Sequence, residues 1–173
     1  MAEIVLIGFM GAGKTTVGRL LAEKLELELT DIDHKLEQTY QLSVAEFFNQ
    51  YGEAAFRVAE QEVLKQALAD SGIIATGGGI VVEAANRQLL QKQGCVIYLK
   101  NSSQAAYDRV TKDHMNLRPL AVNGDKGSFY QLHASRQKLY QEASQLTIDT
   151  DDLTPSQVAS RIISELKGKV GDR

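Results

Sequence analysis

Eight residues, Gly8-Phe9-Met10-Gly11-Ala12-Gly13-Lys14-Thr15, restrict what this chain can fold into more than any other stretch. They spell Gly-x-x-x-x-Gly-Lys-Thr, a phosphate-binding P-loop, which works only between a strand and a helix. Both flanks are present. Glu3-Ile4-Val5-Leu6-Ile7 is a short apolar run rich in β-branched residues, the pattern of a buried strand. Val17, Leu20, Leu21 and Leu25 recur at helical spacing, which predicts a helix opening at about Lys14. In that setting glycine lets the backbone wrap an anion, so that successive N–H groups and the helix N-terminus converge on phosphate. Gly11, Ala12, Gly13 and Thr16 belong to that cradle, Lys14 reaches the β/γ-phosphates, and the Thr15 hydroxyl ligates Mg²⁺. The chain is expected to bind a nucleoside triphosphate.

Composition narrows the classes that remain. The 173 residues suffice for one domain with a substantial core, and 43% hydrophobic with 24% charged residues is an ordinary globular balance. The formal net charge is −3 and both signs are spread along the chain, so no basic face argues for nucleic acid. No apolar stretch approaches membrane-spanning length, and a strand follows Met1 almost at once, leaving no room for a targeting segment. The single cysteine, Cys95, excludes a disulfide framework and suits a reducing cytoplasm. It opens the run Cys95-Val96-Ile97-Tyr98-Leu99 and reads as a small buried hydrophobe on a strand rather than a catalytic thiol.

Strand patterns at 3–8, 28–31, 73–76, 95–99 and 145–148 alternate with helical patterns at 14–25, 32–40, 43–70, 83–93, 102–112, 126–142 and 155–167. That alternation predicts a three-layer α/β fold: a five-stranded parallel sheet flanked by helices, in a single domain spanning 1–173. Ser43 with Glu46, and Thr154 with Gln157 around Pro155, are capping boxes. Gly52 breaks the 43–70 region into two helices. Asp113 to Gly127 fits no element, and beside a P-loop a long polar loop of this kind reads as a lid, about 112–125.

A P-loop names the donor, not the acceptor, so the remaining polar clusters must decide. Asp31-Ile32-Asp33 closes the second strand, where α/β crevices lie. Strand alternation puts the two carboxylates on one side, one to hold Mg²⁺ water and one to orient or deprotonate a hydroxyl; either also suits a helix cap. Arg57, taken by itself, reads as a surface ion pair with Glu53 or Glu60. Gly77-Gly78-Gly79 supplies more glycine than a turn needs, so backbone can lie against a ligand. Arg118 on the lid is placed to close onto a γ-phosphate, and Arg136 follows in the next helix, with Glu142 as a possible ion-pair partner.

Together these motifs closely resemble the shikimate kinase family, in order from Ile4 to about Leu166. The P-loop and Asp31-Ile32-Asp33 are followed by Gly52-Glu53-Ala54-Ala55-Phe56-Arg57 with Glu60, Gly77-Gly78-Gly79 and Asn86-Arg87. Arg118-Pro119-Leu120, Arg136-Gln137-Lys138-Leu139-Tyr140 and Ile148-Asp149-Thr150-Asp151-Asp152-Leu153-Thr154-Pro155 complete the series. The resemblance implies transfer from MgATP to the 3-hydroxyl of shikimate, on the way to chorismate and the aromatic amino acids. It implies that Asp33, Arg57, Gly78, Gly79 and Arg136 bind shikimate, within a helical region of about 32–60 and beyond, with both arginines clamping its carboxylate. Glu60 would support Arg57 and the acceptor hydroxyls. Asp33 would be the orienting base, Asp31 with Thr15 the Mg²⁺ site, and Lys14 and Arg118 the phosphate-binding catalytic cations. Arg109 would stack on adenine and Pro155 line it, although Arg109 stands farther from Arg118 than is usual. Gln41, where glycine is common, and Ala121 are further departures.

The resemblance also implies a monomer. Related P-loop kinases of gluconate or a nucleoside monophosphate are the competing enzymes. Against a guanine-nucleotide switch stands the lack of an Asn-Lys-x-Asp motif; against a degenerate relative stands the retention of Lys14, Asp33 and Arg118.

Overall fold

The structure is a computed structural model that describes residues 1–113 and 125–171. Five strands, β1 (Ile4–Ile7), β2 (Leu29–Asp31), β3 (Ile73–Ala75), β4 (Val96–Lys100) and β5 (Leu146–Asp149), form one parallel sheet in the order β2-β3-β1-β4-β5. Among the described residues seven helices connect and cover them. They are α1 (Lys14–Leu25), α2 (Ile32–Tyr40), α3 (Val44–Ala69), α4 (Ala84–Gln91), α5 (Ser103–Lys112), α6 (Lys126–Ala143) and α7 (Pro155–Gly171). Each strand and helix expected from the sequence is present, with ends displaced by at most a few residues.

Strand alternation builds two cores from one sheet. Ile4 and Leu6 of β1 point to one face, where Val17 and Leu21 of α1 and Val158, Ala159 and Ile162 of α7 cover them. Val5 and Ile7 point to the other, packed with Phe56 and Leu64 of α3, Leu90 of α4 and Tyr140 of α6. Because both faces are covered, β1 is apolar throughout and β4 is buried from Val96 to Leu99, as parallel strands require. Cys95 lies just ahead of β4 rather than within it and is half-buried against the first core.

Local chemistry sets the helix ends. The Ser43 hydroxyl accepts from Glu46 N at 3.1 Å and the Glu46 carboxylate from Ser43 N at 2.7 Å, a complete capping box. Thr154 and Gln157 form the reciprocal pair at α7, at 3.2 and 2.8 Å. Gly52 breaks α3 with φ 82° and ψ 174°, a conformation outside the range of helical residues. At the end of α2, Gln41 adopts φ 56°, ψ 35°, the left-handed conformation that glycine enters without steric cost.

Candidate active site

β1 is central, and its hydrogen-bonded neighbours β3 and β4 lie on opposite sides. The chain leaving the C-terminal end of β1 therefore enters a topological switch point, where α/β sheets bind ligands. That chain is the P-loop. Gly11 and Gly13 both take positive φ, 73° and 86°, and Gly13 caps α1 with backbone alone. The first turn of α1 carries no acidic side chain, so its N–H groups and dipole remain available to an anion. Lys14 is buried, and its ammonium donates to the carbonyls of Gly8 at 2.7 Å and Phe9 at 3.0 Å. Arg109 reaches back from α5 to donate to the Gly11 carbonyl at 2.8 Å, bracing the loop from outside.

One crevice of about 1260 Å³ opens above the strand ends. Gly11, Ala12, Gly13, Lys14, Thr15, Thr16, Asp31, Asp33, Arg57, Gly78, Gly79, Arg109, Arg136 and Pro155 all line it. Arg118 lies outside the described residues, as do residues 114–124 of the lid expected over about 112–125.

The aspartates reach the crevice by a route that strand alternation did not predict. β2 ends at Asp31 and Ile32 already begins α2, so Asp33 stands in the first turn of a helix. Asp31 serves as the helix cap and as more than a cap. One carboxylate oxygen accepts from His34 N at 3.1 Å, and the other accepts from the Thr15 hydroxyl at 2.6 Å. That hydroxyl and carboxylate form a pair of hard oxygen donors beside the P-loop, which fits Mg²⁺, a cation that uses few protein ligands together with phosphate and water. No group of three or more His, Cys, Asp or Glu suited to a metal occurs among the described residues.

Arg57 is not on the surface. The break at Gly52 turns the second segment of α3 so that Arg57 is only 8% exposed. It donates to Glu60 at 2.8 Å, pairs with Glu53 at 3.5 Å, and lies 5.4 Å from the Phe56 ring centre. Glu60 is 1% exposed, and burial raises its pKa above the usual carboxylate value. The charge and hydrogen bond of Arg57 oppose that shift, and the nearby Asp33 adds to it. Arg136, 5% exposed, stands over the Phe9 ring at 5.8 Å, while Arg87 takes the Glu142 partner at 4.0 Å. Nε of Arg57 and Nε of Arg136 have no hydrogen-bond partner among the described residues. Two buried guanidiniums with unmet donors on one crevice are suited to a carboxylate.

Each of the three glycines touches something different. A side chain at 77 would meet the Asp33 carboxylate at 2.8 Å, one at 78 would meet Met10 N at 3.2 Å, and one at 79 would run into the Arg57 guanidinium. The run therefore joins Asp33, the P-loop and Arg57 through bare backbone. Sequence reasoning gave no role to Phe129, His133 and Tyr140. His133 contacts the Phe9 ring at 4.9 Å and its Nε2 lies 2.8 Å from the Asn101 carbonyl, while Phe129 meets Phe9 at 5.3 Å. The Tyr140 hydroxyl donates to the Gly78 carbonyl. Their signal was in the spacing: 129, 133, 136 and 140 form one helical stripe that includes Arg136.

The sequence model of the family described as shikimate kinase matches residues 10–167. The chain is 42% identical to a shikimate kinase of Enterococcus faecalis over 167 residues, covering 96% of this chain and 99% of that one. It is 41% identical to one from Lactococcus lactis subsp. lactis, over 92% of this chain and 95% of the relative. Among solved structures, a shikimate kinase from Acinetobacter baumannii in complex with shikimate superimposes with a TM-score of 0.90 at 35% identity, covering 96% and 93% of the two chains. A deoxyadenosine kinase from M. mycoides with bound dATP, 18% identical with a TM-score of 0.66, shares the fold.

Proposed function

The chain belongs to the shikimate kinase family, and from that premise we propose that its crevice transfers the γ-phosphoryl of MgATP to the 3-hydroxyl of shikimate. The observation that carries this reading is the pair of buried guanidiniums, Arg57 and Arg136, each with an unmet N–H, on the crevice that also holds Asp33 and the P-loop. A ring bearing a carboxylate and hydroxyls matches that set of groups; a nucleobase does not.

Phosphoryl transfer asks a protein mainly to position and to stabilise charge. The loop N–H groups from Gly11 to Thr16 and the Lys14 ammonium hold the triphosphate, and Lys14 exchanges its carbonyl partners for phosphate oxygens. Arg57 and Arg136 clamp the acceptor carboxylate. The Gly78 and Gly79 backbone lies against its ring, and Glu60 keeps Arg57 in place. Asp33 orients the attacking hydroxyl and receives its proton as the new P–O bond forms and the bond to the ADP oxygen breaks. Thr15 and Asp31 would hold Mg²⁺, which neutralises charge on the phosphates when bound. Arg118, on the segment about 112–125 that we assign as the lid, adds a further cation to the phosphates, and Arg109 and Pro155 flank the base. Residues of about 32–60 hold the acceptor within the single domain 1–173. The family resemblance supports a monomer, and the single cysteine supports a reducing, cytoplasmic setting.

An ADP-release assay with MgATP against shikimate, quinate, gluconate and AMP tests the reading. Turnover dependent on shikimate is expected, and turnover with gluconate or AMP alone overturns it.

A further inference from the structure

Tyr140 takes no part in the transfer just described, yet it is built into the acceptor site. It stands one helical turn after Arg136 on α6, fully buried, and stacks on Tyr98 of β4 with ring centres 5.0 Å apart. Burying a phenol without a hydrogen-bond partner costs free energy. Its partner is a backbone carbonyl, that of Gly78, distant in sequence and in the middle of the three-glycine run. That carbonyl and the N–H of Gly79 belong to one planar peptide, so holding the oxygen sets the direction of the N–H as well. Glycines on both sides would otherwise leave this peptide with more rotational freedom than any other pair. On one side of it Gly78 lies against the P-loop, near Met10 N; on the other, Gly79 lies against the Arg57 guanidinium.

Resting on the shikimate reading above, we propose that Tyr140 is a positioning residue for the acceptor. It fixes the Gly78–Gly79 peptide, and thereby where the Arg57 guanidinium stops. Because it shares a helix with Arg136, it also ties the spacing of the two guanidiniums to that peptide. Substrate carboxylate affinity then depends on a hydroxyl that does not line the crevice.

Steady-state kinetics of Tyr140→Phe against both substrates tests this, with Tyr98→Phe, its stacking partner, as the control. The Tyr140→Phe variant is expected to raise KM for shikimate roughly 5- to 20-fold, the worth of one buried hydrogen bond. Its kcat and its KM for ATP stay within about twofold of wild type, a split that a merely structural role does not produce. Tyr98→Phe changes none of the three. Combined with Arg57→Lys, the effect on KM is expected to fall short of the product of the single effects, because both act on one contact. An unchanged KM for shikimate, strict multiplicativity with Arg57→Lys, or equal rises in both KM values with a lowered Tm each overturns the assignment. So does an insoluble Tyr140→Phe beside a soluble Tyr98→Phe, which makes the hydroxyl a support of the whole fold. A wild type active on shikimate beside an unaffected variant sinks Tyr140 alone, whereas a wild type inert with shikimate sinks the functional reading and this inference with it.

Discussion

The proposed phosphate cradle and the proposed acceptor site share one crevice but are made in different ways. The cradle is a single contiguous loop, residues 8–16, whose turns come from its own glycines and whose lysine bonds to its own carbonyls. The acceptor site collects Asp33 from α2, Arg57 from α3, the Gly77–Gly79 run after β3 and Arg136 from α6. In the first case the turns and the lysine contacts are local, and Arg109 adds a brace from α5. In the second each group depends on packing elsewhere: Arg57 on the break at Gly52, Gly78 on Tyr140, Arg136 on the ring of Phe9. Substitutions should therefore separate the two halves.

The largest separation is expected from Asp33→Asn, which lowers kcat roughly 10²–10⁴-fold while leaving ATP binding intact. Single-turnover rates beside nucleotide titration check it, and unaltered turnover reduces Asp33 to a helix-start carboxylate. Gly79→Ala comes next. The added methyl group displaces the Arg57 guanidinium, so affinity for shikimate should fall at least about tenfold, with ATP affinity unchanged. Equilibrium titration of each substrate decides, and equal losses for both would erase the distinction between the halves. Arg57→Lys keeps the charge but loses the planar fork, and a roughly tenfold rise in KM for shikimate is expected. An unaltered KM there would make the pairing with Glu60 the sole task of Arg57.

A smaller effect probes the frame beneath both halves. Burial, with Asp149 adding its charge, pushes the Tyr98 phenol up to about 12, and its hydroxyl has no hydrogen-bond partner among the described residues. Because the folded value exceeds the ordinary one of about 10, the stability linked to this group is fully present below pH 10 and is lost as pH rises through 12. Tyr98→Phe should flatten that alkaline loss, read as denaturant midpoints at pH 8 and 11. Least of all, Gln41→Gly should raise stability by about 0.5–1 kcal/mol through relief of the left-handed backbone, with kinetics untouched.

The same contrast decides what the sequence could reveal. The P-loop was legible because its motif, its strand and its helix are adjacent, and alternation of β and α patterns was enough for the sheet. The acceptor residues were recognisable only as a set that resembled a family. Asp33 was assigned to the right crevice by the wrong period, since β2 stops at Asp31 and α2 starts at once. Helical spacing identified the Glu53 and Glu60 partners of Arg57, but its burial required the turn at Gly52, whose direction no local pattern encodes. Tyr140 escaped because its partner is a backbone carbonyl 62 residues away, and a carbonyl leaves no mark in a sequence.

The central place of β1 has a consequence for how the protein comes into being. Ile4 pairs with Ile73, and Val5 with Val96. At a synthesis rate of about 5–20 residues per second, the strand that carries the P-loop waits roughly 3–14 s for its first neighbour to be made. During that interval Ile4-Val5-Leu6-Ile7 is an apolar strand with two unpaired edges, and the nascent chain must keep it from other chains until residue 75 has emerged.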